Sequence, residues 1–440
     1  LTAIAIGKVV SKVTRLLKIG GGSAAPGYYA LKIHPKLVTE LISQVPKNII
    51  ITGTNGKTTT ARMLSTMATQ IGLRVISNST GSNLERGIAS TLLAKLHLFE
   101  SGSTTLTIPQ SRRLRGVGTN FDLGIWEVDE AAFNSVAPKI KPDIIVFLNV
   151  SRDQLDRYGE VDAVVKGWKQ TLKLVSPKAV IILNGDDISV NSLTNKAVRF
   201  GLGNTKKVKL DLEARDLKTN GLSGTEFIVT PYANIKVKLP VPGIYNIYNF
   251  LAAFAAAQSL GIKPGQIIKS LPNYKSAFGR VEKLDFGYIL LIKNPVGATE
   301  VFKTITPMLK KEDRLLLPLN DNLADGTDVS WIWDVDFELA QNPSLRKPEG
   351  SSEPRTARAK SRDNMIWISG SRAYDLALRL KYAGFNANNL IIEPNLKKAF
   401  QASQEGLKGT LYILPTYTAM LQLQEILVKA GIKKHYWEEV

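Results

Sequence analysis

The chain has 440 residues, 44% of them hydrophobic, enough for two or three packed domains. It contains no cysteine, which excludes disulfides, thiolate zinc sites and a cysteine nucleophile of its own. Formal net charge is +19, from 57 Lys+Arg against 38 Asp+Glu, an excess that attracts polyanions: nucleic acid, an anionic membrane surface or phosphorylated substrates.

In chain order, residues 3–19 alternate apolar patches with Lys8, Lys12, Arg15 and Lys18, the spacing of an amphipathic helix. Such a helix lies on a membrane or packs on the domain that follows. A Gly20-Gly21-Gly22-Ser23 break and Pro26-Gly27 come next. No apolar run reaches the roughly 18–20 residues of a membrane span, and no cleavable signal peptide is evident. The expected location is cytoplasmic, peripheral at the inner face of the cell membrane. No nucleic-acid motif with interleaved aromatics is present, so a nucleic-acid partner is not expected.

Asn48-Ile49-Ile50-Ile51 reads as a buried strand, Thr52 to Thr60 as TGTNGKTTT, and Ala61-Arg62-Met63-Leu64 as the start of a helix. Strand, glycine loop with lysine and hydroxyls, then helix is the build of a triphosphate cradle. Glycines let backbone N–H groups approach phosphate oxygens, and the helix N-terminus adds partial positive charge. Gly53, Thr54, Asn55, Gly56, Lys57, Thr58 and Thr59 are the candidate nucleotide contacts, with Lys57 on the β/γ-phosphates and Thr58 on magnesium. The loop departs from the common GxxxxGK[ST] form, since Ile51 stands where that pattern has its first glycine.

Strands are expected at Arg74–Ser77, Phe121–Val128, Asp143–Asn149 and Ala179–Asn184, with helices between several of them. Residues 206–240 read as a β-rich excursion, Tyr245–Leu260 as a helix, and Lys275–Arg280 as a hinge. Beyond it, strands are expected at Tyr288–Ile292, Arg314–Leu317, Met365–Ile368, Leu390–Ile392 and Leu411–Leu414, with helices Ser371–Ala383 and Tyr417–Ala430. Residues 342–362 are rich in Pro, Ser, Arg and Lys and read as a mobile basic loop. The resulting division is 1–45 (opening helix and glycine segment, part of the first domain), 46–280 and 281–440. The fold class is α/β, a mostly parallel doubly wound sheet followed by a smaller Rossmann-like α/β domain.

Magnesium beside phosphates needs carboxylate oxygen, and open α/β sheets collect ligands at strand ends. Glu127 ends one strand, followed by Asp129 and Glu130. Asn149 ends another, followed by Arg152-Asp153-Gln154-Leu155-Asp156-Arg157, and Asn184-Gly185-Asp186-Asp187 ends a third. A type I turn accounts for the last string; a ribose or phosphate role is the sharper reading.

GTNGKTTT, WEVDEAAF, NVSRDQLDRYG, LNGDD, PGIYNIYN and FGRVEKL resemble, in that order, the motifs of Mur ligases. These are the ATP-dependent amide-bond-forming enzymes of peptidoglycan assembly, related to folylpolyglutamate synthases. The resemblance runs from about residue 20 to the C-terminus. It implies a central ATPase domain, ATP and Mg²⁺ as cofactors, magnesium on Glu127, adenine contact by Asn246 or Asn249, and phosphate contact by Arg280. Two departures stand out: Gln154 replaces the histidine of DHLD, and Trp168 occupies the place of a carbamylated lysine, flanked by Lys166 and Lys169.

Residues 1–51 are too few for a separate UDP-sugar domain. NDNLADGTDVSWIWD (Asn320–Asp334), GGGS…PG, RDQLDRYGE and KNPVG resemble the MurT branch, synthetase subunits of lipid II isoglutaminyl synthase that work with the glutaminase GatD. That implies ATP-dependent amidation of the D-glutamate α-carboxylate of the lipid II stem peptide through an acyl phosphate. It also implies a heterodimer with a GatD-like subunit that supplies ammonia, as the absence of cysteine here suits. In that branch an aspartate of the second domain completes the partner's Cys–His pair; Asp325 and Asp328 both match, the alternative being a loop that caps Trp331 and Trp333. Lys57, Glu127, Asp325 and Asp328 are thus the candidate catalytic residues. The four-cysteine zinc ribbon common in the branch has no counterpart, so no zinc is expected. Rival readings are an amino-acid-adding ligase of the folylpolyglutamate synthase or Mur type, and a nucleotide-sensing scaffold without catalysis.

Overall fold

Strand β1, Lys47–Thr52, is the isoleucine run before the glycine loop, and every residue after Lys47 is buried. β-Branched residues at consecutive positions suit a parallel strand covered on both faces. In the computed structural model, which describes residues 7, 10, 24–78, 82–95, 97–98, 117–118, 120–150, 161–175, 177–203, 208–231, 235–274, 281–341 and 364–433, this strand is inside a nine-stranded sheet. The other strands met along the chain are β2 (Val75–Ser77), the antiparallel pair β3 (His97–Leu98) and β4 (Val117–Gly118), β5 (Leu123–Val128), β6 (Ile144–Phe147), β7 (Val180–Asn184), β8 (Val198–Gly201), β9 (Leu212–Thr219), β10 (Thr225–Thr230) and β11 (Ile235–Leu239). The large sheet runs β11-β10-β9-β8-β7-β6-β1-β5-β2, parallel from β2 to β9.

In this sheet the strands read from the sequence fall where expected, with ends moved by a residue or two: β1 is longer by one residue at each end, and β2, β5, β6 and β7 are shorter. The excursion at 206–240 supplies β9, β10 and β11, so it extends one edge of the main sheet. Register aligns Ile50 with Trp126 and Ile145, and Ile51 with Glu127. Ile50, Trp126, Ile145 and Leu183 therefore share one face, packed with Phe133, Phe147 and Trp168. The same register sets Glu127 beside the last turn of chain before the glycine loop.

The chain divides into two compact units. The first comprises residues 1–218, 226–240 and 245–275; the second comprises 219–225, 241–244 and 276–440. The second unit holds β12 (Glu282–Leu284), β13 (Gly287–Ile289), β14 (Arg314–Pro318), β15 (Ile366–Ser369), β16 (Leu390–Ile392) and β17 (Leu411–Ile413), in the order β12-β13-β17-β14-β15-β16. Among the described residues of this unit, only the β12–β13 pair is antiparallel. Successive strand side chains point to opposite faces. Leu315, Leu317, Ile366, Ile368 and Tyr412 accordingly pack with helices Pro295–Ile305 and Ala373–Tyr382, while Leu316, Trp367, Leu411 and Ile413 pack with helices Leu396–Gln404 and Tyr417–Lys429. Helices on both faces of a sheet make this unit doubly wound as well.

Several sequence readings fall outside the described residues: nearly all of the opening helix 3–19, the glycine break, residues 151–160, Arg280 and the basic loop 342–362.

Candidate nucleotide-binding site

Helix Lys57–Gln70 starts directly after Gly56, whose φ of 92° is a left-handed conformation that only glycine adopts without strain. Gly53 has φ 133° for the same turn. A Cβ on Gly56 would run into the side-chain oxygen of Asn249, and a Cβ on Gly53 would meet the backbone of Asn149. The loop is thus gripped from two sides.

Asn149, at the end of β6, is the main brace. Its carbonyl accepts from Thr54 N (3.0 Å), its Oδ1 accepts from Asn55 N (2.8 Å), and its Nδ2 donates to Asn55 O (3.0 Å). On the opposite side, helix Ile244–Ser259 is buried almost throughout, because IYNIYNFLAAFAAAQS is apolar around its circumference. Its two buried asparagines bond each other, Asn249 Nδ2 to Asn246 Oδ1 at 3.1 Å. Of the candidate adenine contacts, Asn249 therefore stands against the loop and Asn246 beside it.

Lys57 folds back over its own loop. Its ammonium donates to the carbonyls of Gly53 and Thr54, and to Glu130 Oε2 at 3.1 Å. Both side chains of the Lys57–Glu130 pair are about nine-tenths buried. Burial pushes the Glu130 carboxyl up, but the Lys57 ammonium, a backbone N–H and the Thr54 hydroxyl outweigh it and hold the group below the usual carboxylate range. Glu130 is further fixed through its main chain, whose carbonyl accepts from Trp168 Nε1 at 2.9 Å.

Trp168 is fully buried against Phe133 and Phe147. The place of a carbamylated lysine is thus occupied by a core aromatic, while Lys166 and Lys169 are exposed.

The hydroxyl of Thr58 donates to Glu127 Oε2 at 2.6 Å. Glu127 is buried, and Asn78 holds its main chain on both sides: Glu127 N donates to Asn78 Oδ1 (2.8 Å) and Asn78 Nδ2 donates to Glu127 O (2.9 Å). A hydroxyl and a carboxylate this close form the protein half of a site for a hard cation that shares its remaining positions with phosphate and water. Among the described residues no group of three or more His, Asp or Glu gathers as a metal site. Two oxygen donors beside a phosphate cradle fit magnesium nonetheless, since that ion keeps substrate oxygens and water as ligands.

The third strand-end string does other work. Asp186 Oδ2 accepts from Leu202 N (2.6 Å) and from the Tyr248 hydroxyl (2.9 Å). Asp187 caps helix Ile188–Asn191 through Val190 N (2.9 Å) and accepts from Val150 N (2.9 Å). These contacts favour the turn reading of Asn184–Asp187. Sequence reasoning missed Asn78 and the lysine-pairing role of Glu130; the only signal was their position just past the ends of β2 and β5.

A family model described as the Mur ligase middle domain matches residues 51–257, and one described as MurT ligase C-terminal matches residues 291–420. The chain thus resembles Mur ligases in its first part and MurT in its second. Among its relatives, the lipid II isoglutaminyl synthase (glutamine-hydrolyzing) subunit MurT of Streptococcus pneumoniae is 28% identical, over 95% of each chain. The same subunit of Staphylococcus aureus is 27% identical over 96% of this chain and 97% of that one. Similar solved folds include MurF of Acinetobacter baumannii (TM-score 0.64, 17% identity, 92% of this chain and 80% of that one). Folylpolyglutamate synthase of Mycobacterium tuberculosis, complexed with ADP and AMPPCP, is another (TM-score 0.60, 14% identity, 92% and 98%). Similarity to MurT thus accompanies a Mur ligase-like fold, the glycine loop and the Thr58–Glu127 pair.

In the second unit, the two aspartates left open by the sequence differ sharply. Asp325 is buried and accepts from both the backbone N–H (2.8 Å) and the hydroxyl of Thr418. Asp328 is exposed; the backbone N–H of Ser330 (2.8 Å) and its hydroxyl hold the carboxyl below its usual range. Trp333, five residues on in sequence, and Tyr382 are also exposed and pair their rings 5.6 Å apart.

Proposed function

We propose that this chain is the ATP-dependent synthetase subunit that amidates the D-glutamate α-carboxylate of the lipid II stem peptide to D-isoglutamine, in peptidoglycan synthesis. The observation that carries the reading is the Thr58–Glu127 pair at the mouth of a positive-φ glycine loop, in a chain aligned nearly end to end with MurT subunits. Relatives named as glutamine-hydrolysing lipid II isoglutaminyl synthase subunits support the substrate, and the word subunit supports a partner.

Lys57 exchanges Glu130 for the β/γ-phosphates when ATP enters. The first-turn N–H groups of helix Lys57–Gln70, which have no intrahelical acceptor, face the same charge. Thr58 and Glu127 hold magnesium, which neutralises phosphate charge when bound. Asn246, Asn249 and Arg280 are assigned to adenine and phosphate contact. A carboxylate oxygen of the substrate attacks the γ-phosphorus, ADP leaves, and an acyl phosphate results. Ammonia then attacks the carbonyl carbon, the acyl C–O bond breaks, and phosphate departs as hydrogen phosphate, carrying the proton that the nitrogen gives up. A carboxylate is a poor electrophile, so phosphorylation supplies the leaving group, and positioning with charge neutralisation does most of the catalytic work.

Ammonia comes from a GatD-like glutaminase in a heterodimer. Of the two candidates, Asp328 is assigned to the partner's Cys–His pair, because it is exposed and already ionised, whereas Asp325 is consumed by Thr418. The basic balance supports peripheral attachment at the anionic inner face of the membrane, where lipid II is embedded.

The experiment supplies the purified chain with ATP, magnesium, lipid II and ammonium, and reads phosphate release together with the mass of the product. Amidated lipid II is expected. Turnover only with a pteroylglutamate and glutamate would establish the amino-acid-adding alternative instead.

A further inference from the structure

Helix Ala25–Ile33 (APGYYALKI) is packed on one side and bare on the other. Pro26, Gly27 and Ala30 are buried, and Gly27 N donates to Ser90 Oγ at 2.8 Å on helix Glu85–Lys95. The approach is so close that a Cβ on Gly27 would strike the backbone of Arg86 and Ser90. The inner face is therefore fixed by contact.

The outer face carries Tyr28 (43% exposed), Tyr29 (50%) and Ile33 (48%), interleaved with the exposed Lys32, and Pro35 and Lys36 continue it. The two tyrosine rings meet edge to face at 5.4 Å, and the Lys32 ammonium lies 4.8 Å from the Tyr28 ring centre. The helix itself contains no acidic residue, and the nearest one in sequence, Glu40, is engaged by His34 at 2.9 Å.

We infer that this face docks on an anionic lipid bilayer. Tyrosine places an apolar ring and a polar hydroxyl at the headgroup level, isoleucine reaches the acyl boundary, and lysine stems extend along apolar surface with their charge towards phosphate. Charge complementarity decides for a lipid surface: residues 25–36 carry two exposed lysines and no carboxylate among aromatic and aliphatic side chains, the Glu40 carboxylate is paired with His34, and the chain has a net charge of +19. Near anionic lipid each lysine raises the partition about fivefold. One short face gives reversible attachment, which suits an enzyme that must move between substrate molecules. The assignment deepens the proposed lipid-linked substrate by naming the surface that meets the membrane, but its observations are independent of the chemistry at Lys57.

The test sediments the full chain with vesicles of phosphatidylcholine alone or with added phosphatidylglycerol. Wild type should pellet only with the anionic vesicles. A Tyr28→Ser/Tyr29→Ser/Ile33→Ser variant and a Lys32→Glu/Lys36→Glu variant should each bind about tenfold more weakly or worse. Thermal unfolding of both, and their ammonium-driven amidation of detergent-dispersed lipid II, should match wild type. Equal vesicle binding by wild type and variants overturns the assignment, because bulk positive charge then suffices. So does a wild type that ignores anionic vesicles, or a self-association that the variants abolish. Vesicle binding that follows this face in a protein that amidates nothing upholds the assignment and counts against the ligase reading alone.

Discussion

Lys57 rests against Glu130, both nearly buried, at the loop proposed to take a nucleotide's phosphates. An ammonium this buried needs a counter-charge, and the lowered pKa of Glu130 means that the carboxylate serves as one at neutral pH. Because the folded-state pKa is depressed, the pair's stabilisation is present above the ordinary carboxylate value and is lost as pH falls through the folded value. Glu130→Gln should therefore flatten the acid side of a stability-against-pH curve recorded by urea unfolding. The same variant should bind magnesium-free ADP several-fold more tightly by calorimetry, since like charge at the cradle is removed and Lys57 is released. Lys57→Ala should lower kcat/KM for ammonium-driven amidation by about 10²–10³-fold, the usual cost of losing a charge aimed at the transition state.

At the scale of elements, the site is a meeting of five chain segments rather than one motif. The glycine loop is braced by Asn149 past β6, Glu127 by Asn78 past β2, and Glu130 by Trp168 from helix Val161–Leu172. Trp168 links the hydrophobic core of the first unit to the lysine's counter-ion, so its loss should be felt twice. Trp168→Ala should destabilise the protein by about 3–5 kcal/mol in equilibrium unfolding. Trp168→Phe keeps much of the volume and removes the indole N–H; it should cost about 1–3 kcal/mol through the lost hydrogen bond and the changed packing, with weaker amidation. Gly56→Ala combines a left-handed backbone with a collision against Asn249, and should abolish nucleotide binding measured by calorimetry.

Across the whole molecule, two doubly wound units carry different parts of the proposed reaction. The first holds the proposed phosphate cradle; the second presents the exposed Asp328 and, five residues on, Trp333 paired with Tyr382, with buried Arg379 bonded to the carbonyls of Ile332 and Val335. Exposed aromatic side chains and an exposed, ionised aspartate in the same unit suit a docking partner. Asp328→Asn should remove glutamine-driven amidation while leaving ammonium-driven amidation within about twofold of wild type. Asp325→Asn should instead lower the unfolding midpoint of the second unit, by about 1–3 kcal/mol for the broken Thr418 contacts. Loss of ammonium-driven turnover in Asp328→Asn would remove it from the partner's site and return it to the synthetase.

The local string TGTNGKTTT fixed the strand, loop and helix of the cradle, because each depends on neighbours in sequence: β-branched residues for the strand, glycine for positive φ, a helical run to follow. Alternating apolar segments likewise disclosed two α/β sheets, and Glu127 was visible as a carboxylate at a strand end. Trp168 and Asn149 looked like departures or loop residues until folding set them beside partners 38 and 94 positions away. Asp325 and Asp328 were indistinguishable by spacing and were separated only when one was buried against Thr418 and the other stayed exposed beside Ser330. Contacts of that kind are set by strand register and helix packing, which join distant parts of the chain through many small energies that no short stretch of residues contains.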